Sequence, residues 1–254
     1  MSFLVKICSI PAALLSKVPG IGPVVKTCCT TVGQKLLMAL TGLALVGFLI
    51  THLAGNLLLY AGEEKFNEYA EQLHSLGPIL WAAEVVLLSL FLAHIGLAVS
   101  TAALSATARK KKYAEKVSKQ DNTILMGGGA GNYMFPTGVM VLIFLILHVA
   151  DMKFNVRDSL GLADFEYGEE NLFAHVQDVL KDPIAIAVYI LGLAALGIHL
   201  SHGIASAFQT LGINHSRWNG LIRSLCLLLG WALVLGFGSL VVWGIFGPAP
   251  VVAT

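Results

Sequence analysis

Eight histidines are the residues of this chain with the most chemistry to offer, and their placement is uneven. His52, His94, His148, His199 and His202 lie inside long apolar runs, whereas His74, His175 and His215 fall in the stretches between. An ionisable side chain within a membrane helix is costly, so each of the five is a functional candidate. A single one would as readily be a hydrogen-bonded packing residue. The case for more rests on how they are arranged in depth, and so on the elements that carry them.

Five apolar runs, 36–60, 79–104, 134–150, 184–208 and 221–246, approach or exceed the roughly 20 residues a helix needs to cross a bilayer. The third is the shortest and can borrow flanking residues. Pro78 and Pro183 stand at the starts of the second and fourth runs, where a missing N–H costs little. Only 12% of the 254 residues are charged and the mean hydropathy is +0.78. A water-soluble domain carries about 25% charged residues, so lipid is the main solvent. The expected fold is all-α: a bundle of five transmembrane helices in one domain over residues 33–254, preceded by a cytoplasmic or interfacial segment 1–32. No repeat of fixed period is evident. Residues 1–20 lack the small-residue site that closes a signal peptide. The run Gly127-Gly128-Gly129-Ala130-Gly131 lacks the Lys-Ser/Thr of a phosphate loop and reads as a flexible link. No C-x-x-C-H is present, so a haem here would not be attached in the usual c-type way.

Basic residues set the orientation. The N-terminal segment, the stretch after the second run and the stretch after the fourth hold twelve of the sixteen Lys and Arg, including Arg109 to Lys112, Arg217 and Arg223. The opposite side holds Lys65, Lys153, Arg157 and Lys181 among many acids. This places the N-terminus inside and the C-terminus outside.

With that orientation the histidines sort into two layers. His52 and His148 lie about 12 Å and about 6 Å from the outer ends of the first and third helices, at 1.5 Å per residue. His94 and His199 each stand sixteen residues beyond a proline, about 24 Å from the outer end. One outer pair and one inner pair result. Two facing imidazoles at one depth can ligate one haem iron from both sides, and two stacked haems make a conductor across the bilayer. A proton relay is the competing reading, but it does not require pairing by depth. A zinc site lacks a carboxylate or thiol at ligand spacing. His202 shares a helical face with His199 and competes with it; His199 matches the depth of His94 better. Glu84 is the one carboxylate well inside a run, about 9 Å from the outer end and level with His52 and His148. It reads as a lone buried acid beside the outer pair.

The chain resembles the single-subunit, di-haem b558 type of cytochrome b anchor of succinate:quinone oxidoreductases. The resemblance covers roughly residues 33–246. It rests on 33–42 (GQKLLMALTG), 48–56 (FLITHLAGN) and 66–70 (FNEYA), with Thr137-Gly138 through Asp151 and His199 through Gly212. It implies two haems b with axial ligands His52 and His148 outside and His94 and His199 inside. It also implies a quinone, of the menaquinone class, near the outer haem with a helix-two carboxylate nearby; Glu84, by its depth, is the candidate proton partner. The implied partners are a flavoprotein with FAD and an iron–sulfur protein on the cytoplasmic face of a bacterial cytoplasmic membrane. The chain would itself be non-catalytic toward the dicarboxylate and would pass electrons between the iron–sulfur subunit and quinone. Another di-haem cytochrome b of a quinone-linked dehydrogenase or hydrogenase is the alternative within this class, and a haem-free transporter the alternative outside it.

Overall fold

The computed structural model describes residues 27–28, 30–107, 133–162 and 171–247. Residues 1–26 and the glycine run 127–131, on which two of the sequence expectations fall, lie outside the described residues. Every regular element among the described residues is helical.

Helix α1 (Thr31–Asn56) starts ahead of the apolar run because Thr30 caps it, its hydroxyl accepting the Gly33 N–H at 3.0 Å. Thr31 and Val32, expected in the preceding segment, therefore belong to the span. The helix tightens into a 3-10 stretch, Leu57–Ala61, and stops at Gly62, whose φ of 96° suits glycine. Helix α2 (Glu63–Ser75) follows, opened by Glu63 and Glu64 in the first turn, where acids favour the helix dipole. Helix α3 (Pro78–Thr107) is the second span and α4 (Met134–Met152) the third. Asn155, with φ 47°, turns the chain into the single-turn α5 (Val156–Ser159). Helix α6 (Leu172–Lys181) is capped by Asn171, which accepts the Ala174 N–H at 3.2 Å. Asp182 then caps α7 (Pro183–Thr210), accepting from Ala185 N–H at 2.8 Å, with Pro183 in the first turn. Helix α8 (Asn219–Phe246) is the fifth span.

The five long helices α1, α3, α4, α7 and α8 are long and apolar enough to cross a membrane. The shortest, α4, has 19 residues, which is about 28 Å of rise against a hydrocarbon core of about 30 Å. Helix α7 is the hub, packed on α4, α8 and α1. Helix α8 lies close to it because Gly230 has no side chain; a Cβ there would stand 3.3 Å from Leu200 Cβ. Helix α3 packs chiefly on α1 and has no buried residue. Its Ile79, Trp81, Val85 and Leu92 are exposed, as side chains facing lipid must be.

Two helices that sequence pattern left as loops cover one end of the bundle. Helix α6 is almost wholly buried and wedges between α2, α7 and α8, placing Phe173, Val179 and Leu180 in the core. Helix α2 contributes Phe66 and Ala70. The two are joined by polar ties: Asn67 donates to Asn171 at 3.0 Å, Asn171 donates to Glu63 at 2.6 Å, and Phe173 N–H donates to Asn67 at 3.0 Å. His175, expected in a loop, is therefore a buried helical residue.

Candidate metal centres between the helices

The expected outer pair meets. His52 projects from α1 and His148 from α4, and their ring centroids are 5.9 Å apart at an interplanar angle of 80°. Two imidazoles bound to opposite sides of one metal through bonds of about 2 Å have centroids about 6 Å apart. Each ring rests on a phenylalanine one turn earlier: His52 on Phe48 at 5.2 Å and His148 on Phe144 at 5.6 Å. Tyr189 of α7 closes the site, its hydroxyl 2.8 Å from His148 Nδ1. The Asn56 amide nitrogen stands 3.4 Å from His52 Nδ1 and donates more firmly to the His52 carbonyl, at 2.8 Å.

The inner pair is built differently. His94 of α3 points at α1, where Thr41 Oγ1 lies 3.2 Å from its Nδ1. His199 of α7 points at α4, where Thr137 Oγ1 lies 3.3 Å from its Nδ1. Beside each threonine a glycine gives the ring room. A Cβ on Gly42 would come within 3.1 Å of His94 Cε1, and one on Gly138 within 3.4 Å of His199 Cε1. His94 and His199 lie within electrostatic reach of one another, and His202 of His199. The hydroxyl tether falls on His199, the residue of the two that the depth argument favoured.

These contacts expose a repetition without a fixed period. Thr41-Gly42 precedes His52 as Thr137-Gly138 precedes His148, eleven residues from Thr to His in both. Pro78 precedes His94 as Pro183 precedes His199, sixteen residues in both. Helices α1 and α3 are matched by α4 and α7, and unequal connecting segments hide the match from a search at constant period. The two threonines were missed as site residues, and the paired Thr-Gly at equal distance from a histidine was the signal available.

The donor set bears on what could bind. Among the described residues no three of His, Cys, Asp and Glu converge as ligands of one metal ion. Two imidazoles alone leave a metal short of donors, whereas the porphyrin of a haem supplies the other four itself. With Nδ1 of three histidines tied to hydroxyls on other helices, Nε2 is the nitrogen left for iron. The residues present fit two bis-histidine haems.

A polar clamp holds the outer end of the site. Asp151, one turn beyond His148, is buried, and Arg157 of α5 donates to both its carboxylate oxygens, from Nε at 2.9 and 3.0 Å and from Nη2 at 2.7 Å. Arg157 Nη1 also donates to Asp182 at 2.7 Å. The hydrogen bond to Asp151, with that to Asp182, holds the guanidinium well above its ordinary pKa. Burial alone would push the Asp182 carboxyl up; hydrogen bonds from Arg157 and the Ala185 N–H outweigh it and hold the group below its usual value. His175 Nε2 lies 3.1 Å from the Asp151 carbonyl oxygen, which can only accept, so Nε2 carries the proton.

Glu84 departs from its reading as a lone buried acid. Its carboxylate pairs with the Lys153 ammonium at the end of α4, and the side chains remain 43% and 48% exposed. Lys153 lies 69 positions further along the chain and just past the last turn of α4.

Over 180 residues the chain is 30% identical to the succinate dehydrogenase cytochrome b558 subunit of Bacillus subtilis (strain 168), a match covering 70% of this chain and 79% of the relative. No family model and no solved structure matches.

Proposed function

The chain belongs to the family of succinate dehydrogenase cytochrome b558 subunits, and on that premise we propose that it is the membrane anchor that passes electrons between an iron–sulfur subunit and membrane quinone through two haems b. The observation that carries the proposal is the set of four intramembrane histidines, two from each half of a repeated helix pair. His52 and His148 are the proposed axial ligands of the outer haem, and His94 and His199 those of the inner one. When bound, the haems supply one-electron carriers stacked across the membrane; their potentials follow from the ligands and the burial.

The chain's own residues position and insulate. Phe48, Phe144 and Tyr189 pack against the outer imidazoles and restrict their rotation. Helices α2 and α6 cover the outer end of the bundle. Glu84, on α3 near the outer layer, is the proposed proton partner of a quinone of the menaquinone class. The twelve basic residues of the inner side support a cytoplasmic N-terminus and an external C-terminus, in a bacterial cytoplasmic membrane. They also provide a docking face for the iron–sulfur subunit, which in turn carries the FAD-containing flavoprotein. Dicarboxylate chemistry belongs to that flavoprotein.

Haem content and redox titration of four single variants test the ligation. Replacing His94 or His199 should remove one haem, and replacing His52 or His148 the other. If His202→Ala loses the inner haem while His199→Ala keeps it, the assignment on α7 is wrong. A purified complex without reduced b-type absorption would overturn the whole reading.

A further inference from the structure

Thr41 and Thr137 sit in the interior of membrane helices, where threonine commonly does no more than return its hydroxyl proton to the preceding turn. Both do this: Thr41 donates to the Leu37 carbonyl at 2.9 Å and Thr137 to the Tyr133 carbonyl at 2.6 Å. That commitment is informative. With its proton spent on the backbone, each hydroxyl can only accept from the imidazole 3.2 or 3.3 Å away. His94 and His199 are thereby held as the Nδ1–H tautomers, with the Nε2 lone pair free. The same device occurs twice, on two helices, at the same register relative to a neighbouring glycine and a downstream histidine. A packing coincidence would not repeat the register, the glycine and the hydrogen bond together. Tyr189 of α7 stands beside His148 with its hydroxyl 2.8 Å from Nδ1, where it accepts from Nδ1–H once Nε2 is taken by iron.

We propose that Thr41, Thr137 and Tyr189 are positioning residues of the electron path, each fixing the tautomer and rotation of one haem-ligating histidine on another helix and holding down the potential of its haem. The proposal rests on the bis-histidine reading above. An acceptor on Nδ1–H makes Nε2 the stronger donor, and a stronger donor favours ferric over ferrous iron. Removing the acceptor therefore makes the haem easier to reduce. Thr41 and Thr137 converge on the inner pair and Tyr189 on the outer, so the effects should separate by haem.

The test uses the complex in its native membranes, carrying Thr41→Val, Thr137→Val or Tyr189→Phe, with Thr41→Ser and Thr137→Ser beside them. Valine keeps the shape of threonine and removes the acceptor; serine restores it. Redox titration should show the same haem shifted upward in both valine variants and the other haem shifted in Tyr189→Phe. The expected size is about tenfold in the one-electron equilibrium, which is about 59 mV. The ferric low-spin resonance of the affected haem should move as well, because it responds to the angle between the imidazole planes. The serine variants should keep the parent potential and resonance.

Unchanged potentials and resonances in the valine variants, with both haems present, overturn the proposal. So does Thr41→Val acting on one haem and Thr137→Val on the other. If a valine variant loses its haem outright, the serine variant decides. Retention of that haem at the parent potential supports positioning by the hydroxyl, and its loss in serine too shows mere packing. Failure of the underlying ligation would look different: the histidine variants would keep both haems, or the unmutated complex would lack two low-spin signals.

Discussion

Replacing Arg157 with glutamine should cost about 3 kcal/mol or more of folding stability, because it strands the Asp151 carboxylate. The Asp151 and Arg157 side chains are only 4% and 12% exposed, and Asp182 is 19% exposed. Breaking one partner of a buried ion pair typically costs about 3–5 kcal/mol, most of it from the charge left behind. The lower end applies here, since the short α5 can yield and admit water. Unfolding of the detergent-solubilised protein in mixed micelles, followed by far-ultraviolet circular dichroism, measures the loss. A second substitution, Asp151→Asn in the Arg157→Gln background, removes the stranded charge and should return roughly half of it. A single variant losing less than about 1 kcal/mol, or a double variant less stable than the single, would refute the reasoning. The pH dependence has a definite sign. Arg157 has its pKa raised and stays charged throughout the working range. Asp182 is held below its ordinary value, so its contribution is complete above the unfolded carboxylate pKa of about 3.9 and is lost as the pH falls through the lower folded value. The parent protein should lose stability below about pH 4 more steeply than Arg157→Gln does.

Gly42→Leu should displace the His94 ring and remove the inner haem, whereas Gly47→Ala, with open space around the added carbon, should leave both haems in place; haem content per polypeptide checks the pair. Glu84→Gln should keep both haems and the dicarboxylate activity measured with a soluble dye, yet lose most quinone-linked turnover; unchanged quinone turnover would remove Glu84 from the proton path. A reporter fused after Thr254 should be active only outside and one inserted near Lys111 only inside, and the reverse pattern would invert both the topology and the labels of the two layers.

The five spans could be read from sequence because an apolar run of this length has few other solutions; their ends moved by a few residues, at the starts of α1 and α7 where Thr30 and Asp182 cap the helix. Helices α2 and α6 could not be read in the same way. Helix α6 is two-faced, but its ten residues are about half the length of a membrane-crossing run, and it buries His175 and Gln177 alongside its apolar residues because four other helices pack on it. The meeting of His52 with His148 could be anticipated because depth along a helix is arithmetic. The hydroxyl partners of the histidines could not, because Thr41, Thr137 and Tyr189 act across to a different helix, and their own sequence neighbours say nothing of what they touch. Glu84 was misjudged for the same reason: Lys153 approaches from the far end of another span.

The matched helix pairs have a consequence for how the protein is made. Each proposed haem takes one ligand from α1–α3 and one from α4–α7, so neither half can complete a binding site during synthesis. The first half leaves the ribosome with His52 and His94 facing sites still missing their second ligand. Loading of the outer haem must therefore wait until the third span has entered the membrane and loading of the inner haem until the fourth, and together they staple the two halves at two depths. In a cell starved of haem the halves would be held by helix packing alone. Helix α3, which has no buried residue of its own, would be the element most exposed to membrane proteases, making cofactor supply a checkpoint on how much anchor survives.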